Sequence, residues 1–288
     1  MRIARTTRAD AMRGALIGAF VAVIALASAG TAAAQAWQAR HNMTAAAYQQ
    51  NFENFAKQGY RLTDVSGYAV NNQALFAAIW EKKPGGAWQA RHNMTAAAYQ
   101  QNFDNFAKQG YRLTHVSGYA VNNQPYFAAI WEQKQGVQFQ WQARHNMTAA
   151  AYQQAFDAAA KQGYRLTDIS GYTVNNQPYF AAIWEKRPGG AWQARHNLTA
   201  ASYQQAFDTL AKQGYRLTHV SGYAVGNQAE FAAIWEQQPG GSWQARHNLT
   251  AAAYQQAFDT LAKEGYRLTH VAGYAVGGNP LFAAIWAK

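Results

Sequence analysis

The chain has 288 residues, with 25 Lys and Arg against 14 Asp and Glu, a formal net charge of +11 and no cysteine. Without cysteine there are no disulfides, no thiolate metal sites and no cysteine nucleophile, so the fold rests on its core alone. Four arginines and one aspartate fall in residues 1–36, leaving +8 spread evenly over the remainder; this suits an acidic polysaccharide or anionic surface, and there is no basic run to suggest nucleic acid.

Residues 1–36 begin with Arg2, Arg5, Arg8 and Arg13, continue through an apolar run from Ala15 to Ala27, and close on Ala34-Gln35-Ala36. That order is a secretory signal peptide with cleavage after Ala34 or Ala36, and it predicts a secreted or periplasmic protein with no membrane span in the mature chain. An uncleaved anchor is the alternative, since Ala15 to Ala34 is nearly long enough to span a bilayer. From Trp37 the motif WQARHN recurs at Trp88, Trp141, Trp192 and Trp243, at spacings of 51, 53, 51 and 51 residues. The chain is therefore read as five repeats, 37–87, 88–140, 141–191, 192–242 and 243–288, and a fixed period of this size means a solenoid, a propeller or an array.

In the first repeat, Trp37 to Asn42 alternates as a short strand, with Trp37, Ala39 and His41 on one face and Gln38, Arg40 and Asn42 on the other. Thr44 is a good N-cap for a helix from Ala45 to Gln58, whose Tyr48, Phe52, Phe55 and Ala56 form one apolar stripe. Gly59 supplies the left-handed position after the helix, and Tyr60 can fold back on Phe55. Tyr60 to Val70 alternates as a second strand, with Tyr60, Leu62, Asp64, Ser66 and Tyr68 on one side. Asn71-Asn72-Gln73 turns the chain into a third strand, Leu75 to Trp80, and Lys82-Lys83-Pro84-Gly85-Gly86 ends the unit. The second junction, Gln133 to Gln140, is two residues longer and lacks proline, which predicts a looser loop.

The fold class is α/β, five tandem β-α-β-β repeats. Because the Pro-Gly-Gly junction is short, FAAIW is expected to pair with the next WQARHN as a hairpin. The lone Trp37–Asn42 strand would then pair with Phe282–Trp286, closing a five-fold α/β propeller with its helices outside and leaving no sheet edge. The alternative is an open curved array, although its end repeats would normally be divergent caps.

The pattern W-x-A-R-H-x-L/M-T-x-x-x-Y-Q-x-x-F, then G-Y-R-L-x-x-V-x-G-Y, then F-A-A-I-W resembles the bacterial tandem repeat domain, also called the polyglycine-hydrolase-like structural repeat. The resemblance covers all five copies, Trp37 to Lys288. It implies a non-catalytic module of secreted proteins, sometimes attached to a serine hydrolase domain of β-lactamase type. This sequence has no S-x-x-K, and its five repeats fill residues 37–288, so the resemblance does not carry hydrolase activity over.

Two histidine positions stand out. His41, His92, His145, His196 and His247 occupy every WQARHN, whereas His115, His219 and His270 occupy a place taken by Asp64 and Asp168 in the other copies. A mixed His41/Asp64 set would suit a divalent ion, but no H-x-x-x-H pair supplies two ligands from one element, so no metal or cofactor is expected. A Ser66/His41/Asp64 triad fails as well, because the serine becomes Ala272 in the last copy and no G-x-S-x-G elbow surrounds it.

The candidate binding set joins an exposed arginine and asparagine of the first strand, a tyrosine of the second and an asparagine of the turn. Copy by copy it is Arg40, Asn42, Tyr68 and Asn71; Arg91, Asn93, Tyr119 and Asn122; Arg144, Asn146, Tyr172 and Asn175; Arg195, Asn197 and Tyr223; and Arg246, Asn248 and Tyr274. An aromatic platform beside convergent donors and acceptors suits a sugar ring or peptide backbone. The expected function is a secreted, non-enzymatic, multivalent, lectin-like module for glycan or cell-envelope ligands, gaining avidity from five weak sites. The alternatives are a structural ring that docks a partner protein, or an accessory module of a secreted serine hydrolase system.

Overall fold

The computed structural model describes residues 36–133 and 140–288. The expected signal peptide and most of the longer second junction lie outside the described residues. Each repeat builds, in order, a first strand, a helix, a second strand and a third strand. The first strands are Trp37–Thr44, Trp88–Thr95, Trp141–Thr148, Trp192–Thr199 and Trp243–Thr250, and the helices are Ala45–Lys57, Ala96–Lys108, Ala149–Lys161, Ala200–Lys212 and Ala251–Lys263. The second strands are Arg61–Val70, Arg112–Val121, Arg165–Val174, Arg216–Val225 and Arg267–Val276, and the third are Gln73–Glu81, Gln124–Glu132, Gln177–Glu185, Gln228–Glu236 and Asn279–Ala287. No helix among the described residues is long and apolar enough to cross a membrane.

The helix signals act as read. The Thr44 hydroxyl accepts the Ala47 N–H at 3.2 Å, Gly59 sits at φ +81°, and the Tyr60 N–H donates to the Phe55 carbonyl at 3.0 Å to close the last turn. Tyr48 and Phe55 are buried and Phe52 half-buried, while Ala56 is exposed, so the apolar stripe is narrower than expected. Asn71 and Asn72, at φ +49° and +61°, make the left-handed two-residue turn that the twist of a hairpin favours.

Strand pairing differs from the expectation. Every sheet is antiparallel, three-stranded and built from one repeat, with the third strand in the middle: Trp37 and Arg61 both lie opposite Glu81, one on each side. FAAIW does not pair with the next WQARHN, and Phe282–Trp286 is flanked by Trp243–Thr250, not by Trp37–Asn42. The helix carries the chain from one flank of the third strand to the other, so both flanks are filled within the repeat. The Pro-Gly-Gly glycines are not hairpin-turn residues either. Neither Gly85 nor Gly86 has a left-handed φ; a Cβ on Gly85 would run into the Arg61 guanidinium, and one on Gly86 into the Gln133 carbonyl of the next repeat. Glycine is needed there for close approach as the loop crosses to the next sheet.

Two bulges set which way side chains point. One lies between Arg40 and Met43, where Asn42 adopts φ +52°. The other lies between Leu62 and Asp64, where the extra residue Thr63 reverses the alternation. Leu62 therefore joins Val65 in the core shared with Tyr48, Phe76 and Trp80, while Asp64, Ser66 and Tyr68 contact the fifth repeat. The fully buried Trp80 packs against Phe55 with ring centres 5.0 Å apart. The opposite face of the same strand, Ala77 and Ile79, packs with Tyr254, Leu261 and Trp286 of the fifth repeat. Each sheet is thus covered on both sides, by its own helix and by a neighbouring repeat.

Candidate functional site

The seams between repeats are built by residues of the second strands. At the Asp/His position each side chain reaches back to the backbone of the preceding repeat. Asp168 Oδ2 accepts the Val116 N–H at 2.9 Å, while His115 Nε2–H donates to the Val65 carbonyl at 2.8 Å, His219 to Ile169 at 2.8 Å and His270 to Val220 at 2.7 Å. Asp64 Oδ2 accepts the Val271 N–H at 2.8 Å, so the fifth and first repeats meet through the same contact. Carboxylate and imidazole both serve at this position because one accepts the backbone amide and the other donates to the backbone carbonyl of the preceding repeat's Val or Ile.

These five side chains also touch one another and form a buried belt. His115 lies 2.9 Å from Asp168 and 3.3 Å from Asp64, His219 lies 3.1 Å from Asp168, and His270 lies 3.2 Å from Asp64, with the His219 and His270 rings 4.2 Å apart. Burial alone would raise the Asp64 carboxyl, but His270 and His115 outweigh it and hold it well below the ordinary range; Asp168 is depressed in the same way by His115 and His219. Burial would lower His115, but Asp168 and Asp64 override it and push it up to about 10, and Asp64 likewise raises His270. His219 is the exception: burial, then the neighbouring His270, lower it to about 4. Both ring nitrogens of His115 and of His270 face acceptors, the Val65 and Val220 carbonyls and the Asp168 and Asp64 carboxylates, an arrangement that favours the protonated ring at both, while His219 is the ring held neutral.

Two residues along, Ser66 Oγ accepts the Gly273 N–H at 2.9 Å, and Ser117, Ser170 and Ser221 accept from Gly67, Gly118 and Gly171 at 3.0, 2.9 and 2.9 Å. The fifth member is Ala272, which has no hydroxyl to offer Gly222. Beyond these serines a funnel of about 130 Å³ is lined by the Ser-Gly-Tyr segments of the first four second strands and by Gly273 and Tyr274 of the fifth.

The predicted tyrosines and asparagines do come together, but as pairs. The Tyr68 hydroxyl donates to Asn42 Oδ1 at 2.7 Å and accepts the Asn42 N–H at 3.1 Å, holding the left-handed bulge residue in place. Tyr119 with Asn93, Tyr172 with Asn146, Tyr223 with Asn197 and Tyr274 with Asn248 repeat this pair. The tyrosine rings lie against a glycine of the preceding repeat, Tyr119 on Gly67 and Tyr68 on Gly273. Tyr68 is 3% exposed, so the tyrosines do not form an open platform. Asn71, Asn122 and Asn175 stay exposed in the turns, where the Asn175 N–H donates to Asn123 Oδ1 of the neighbouring repeat at 3.2 Å; they do not join the first-strand residues.

Arg40, Arg91, Arg144, Arg195 and Arg246 are exposed. Arg40 Nη1 donates to the Ala39 carbonyl at 2.7 Å, and its guanidinium lies 5.3 Å from the Phe55 ring centre. Beside it a groove of about 230 Å³ runs between Ala39, Arg40 and His41 on one wall and Tyr254, Gln255 and Phe258 of the fifth repeat's helix on the other. His41 sits edge-on to Tyr254 at 4.8 Å, and burial lowers its imidazole, so it is neutral at pH 7. The same strand–helix contact recurs at His92 with Tyr48 and at His145 with Tyr99, both at 4.7 Å. The sequence reading missed the helix wall because it gave the first strand the wrong neighbour. The apolar stripe of the helix was the available signal: Phe52 is only half-buried by its own sheet and takes Trp88 of the next repeat edge-on at 5.5 Å.

Neither a His41/Asp64 ligand set nor a Ser66/His41/Asp64 triad is assembled. His41 faces Tyr254 and Phe282, Asp64 lies in the belt, and the Ser66 hydroxyl is engaged by the Gly273 amide. Among the described residues no group of three or more His, Cys, Asp or Glu is placed to hold a metal ion. The sequence model for the polyglycine hydrolase-like structural repeat matches residues 34–83, 85–134, 140–187, 189–238 and 240–288. These matches span almost everything after residue 33, and the chain belongs to that family.

Proposed function

We propose that this member of the polyglycine hydrolase-like repeat family is a secreted, non-enzymatic, multivalent binding module for glycan or cell-surface ligands, its repeats closed into a five-fold α/β propeller with helices outside. Closure is supported by the fifth and first repeats meeting through the contacts used between consecutive ones: Asp64 with Val271, Ser66 with Gly273, and Tyr68 on Gly273. The binding reading rests on one observation, the exposed Arg40 beside a partly aromatic groove at a seam, built from strand and helix residues that recur in all five repeats. An arginine fork next to an aromatic wall suits an acidic or hydroxyl-rich ring, and five such sites on one rigid body gain avidity from weak contacts. The engaged, buried Ser66 hydroxyl favours binding over catalysis.

A panel of neutral and acidic polysaccharides applied to residues 37–288 tests this, with a variant in which all five exposed first-strand arginines are alanine. Binding lost in the variant at unchanged melting temperature supports the groove. A second reading, one protein partner per ring, draws on the funnel of about 130 Å³ that all five second strands line. It gains if no polysaccharide binds and a partner is captured at one copy per chain.

A further inference from the structure

Four seams carry a guanidinium–carboxylate pair. Arg61 Nη2 lies 3.4 Å from Glu132, Arg112 Nη2 lies 3.1 Å from Glu185, Arg165 Nη2 lies 3.1 Å from Glu236, and Arg267 Nη1 lies 3.3 Å from Glu81. In each case the arginine opens a second strand and the glutamate closes the third strand of the following repeat. The remaining seam, between the fourth and fifth repeats, has Arg216 on one side, but the fifth repeat carries Ala287 at the register position of the glutamates. Among the described residues Arg216 has no ion pair. Its guanidinium is nonetheless held as at two of the others: a Cβ on Gly240 would run into Arg216 Nη1, just as one on Gly85 would meet Arg61 and one on Gly189 would meet Arg165. Arg216 is half-buried beneath its loop.

We propose that the seam between the fourth and fifth repeats is a carboxylate-binding site, with Arg216 as its anchor. Alanine in place of glutamate removes a CH2–COO⁻ group, which has the size and charge of an acetate. A guanidinium fork matches a carboxylate through two parallel N–H···O bonds, and a partly desolvated cation left without a partner is costly. The ligand class is therefore a small carboxylate or a carboxylate-bearing group such as that of a uronic acid. There is one such site per chain, independent of the five outer grooves.

The test is an arginine side-chain Nε–Hε NMR spectrum of residues 37–288 during titration with sodium acetate or D-glucuronate, chloride being exchanged to hold ionic strength constant. The cross-peak absent from R216Q identifies Arg216. In the wild type that peak is expected to shift and saturate with either carboxylate. In A287E it should start from a shifted position and stay there, and A287E should melt at a higher temperature than the wild type. An Arg216 peak that does not move in the wild type, or that moves equally in A287E, overturns the proposal. Movement of the Arg40-type peaks alone counts against this site while favouring the grooves.

Discussion

The Val271 amide donates to the Asp64 carboxylate at 2.8 Å across 207 positions of sequence, the contact that joins Val116 to Asp168 between consecutive repeats at 2.9 Å. The first and fifth repeats therefore touch through a buried carboxylate within the belt of Asp and His side chains, and not through the edge strand that the sequence predicts. Removing one partner of such a set leaves the others uncompensated. Asp64→Ala is expected to lower the unfolding free energy by about 3–5 kcal/mol, whereas the exposed Glu53→Ala should stay within about 0.5 kcal/mol. Urea denaturation at pH 7 checks this, and a D64A cost no larger than that of E53A would show that the belt does not hold the ends together.

The belt also fixes the shape of the stability–pH curve. The unfolded chain has an ordinary imidazole near 6.5 at position 219, whereas the folded value is about 4. Between those values the unfolded state binds the extra proton, so stability falls as pH drops from about 6.5 toward 4. The half-buried His41, His92, His145, His196 and His247, all lowered by their partial burial, act in the same direction. His115, raised to about 10, and His270, also raised, act oppositely: their contribution is complete below about 6.5 and is lost as pH climbs. Asp64 and Asp168, both depressed, contribute fully above their ordinary value of 3.8 and lose that contribution as pH falls through their lower folded values. Denaturation from pH 4 to 10 should show a maximum near pH 6.5. His219→Gln should remove up to about 1.4 kcal/mol per pH unit from the acid limb, and a curve rising steadily to pH 10 would contradict the assignment.

Much of this was legible where the signal is local. Thr44, Gly59 and the Asn71-Asn72 turn act within a few residues, and each behaves as its chemistry dictates. The seam was not legible, because it depends on which sheet a strand joins. The short Pro-Gly-Gly junction suggested a hairpin, yet its glycines are needed for passage beside Arg61 and Gln133. Thr63 hid a parity change, since a bulge has no fixed sequence mark. The Asp/His exchange speaks in sequence against a metal ligand set but does not name the backbone partner, which only the seam supplies.

The seam between the fourth and fifth repeats lacks the serine hydroxyl found at the other four. Ala272→Ser should restore a bond to the Gly222 amide and stabilise by about 0.5–1.5 kcal/mol, while Ser66→Ala, which strips the Gly273 amide of its acceptor, should cost about 1–3 kcal/mol. Paired melting curves decide it, and an Ala272→Ser variant less stable than wild type would mean the seam has no room for the hydroxyl.

Glycines that receive a neighbour's tyrosine ring should tolerate less than those facing open space. A Cβ on Gly273 would collide with the Tyr68 ring, whereas one on Gly59 meets nothing within 4 Å and bears only the strain of φ +81°. Gly273→Ala should cost about 1–3 kcal/mol through displaced packing, and Gly59→Ala about 1 kcal/mol. Equal costs would mean that the ring moves aside freely.

The most direct test of the function is the number of binding sites per chain. Calorimetric titration of residues 37–288 with a short, monovalent fragment of whichever polysaccharide binds should return close to five equivalent sites, each weakened by alanine at its own arginine, Arg40 through Arg246 in turn. A single site per chain, unaffected by those arginines, would contradict the multivalent groove account.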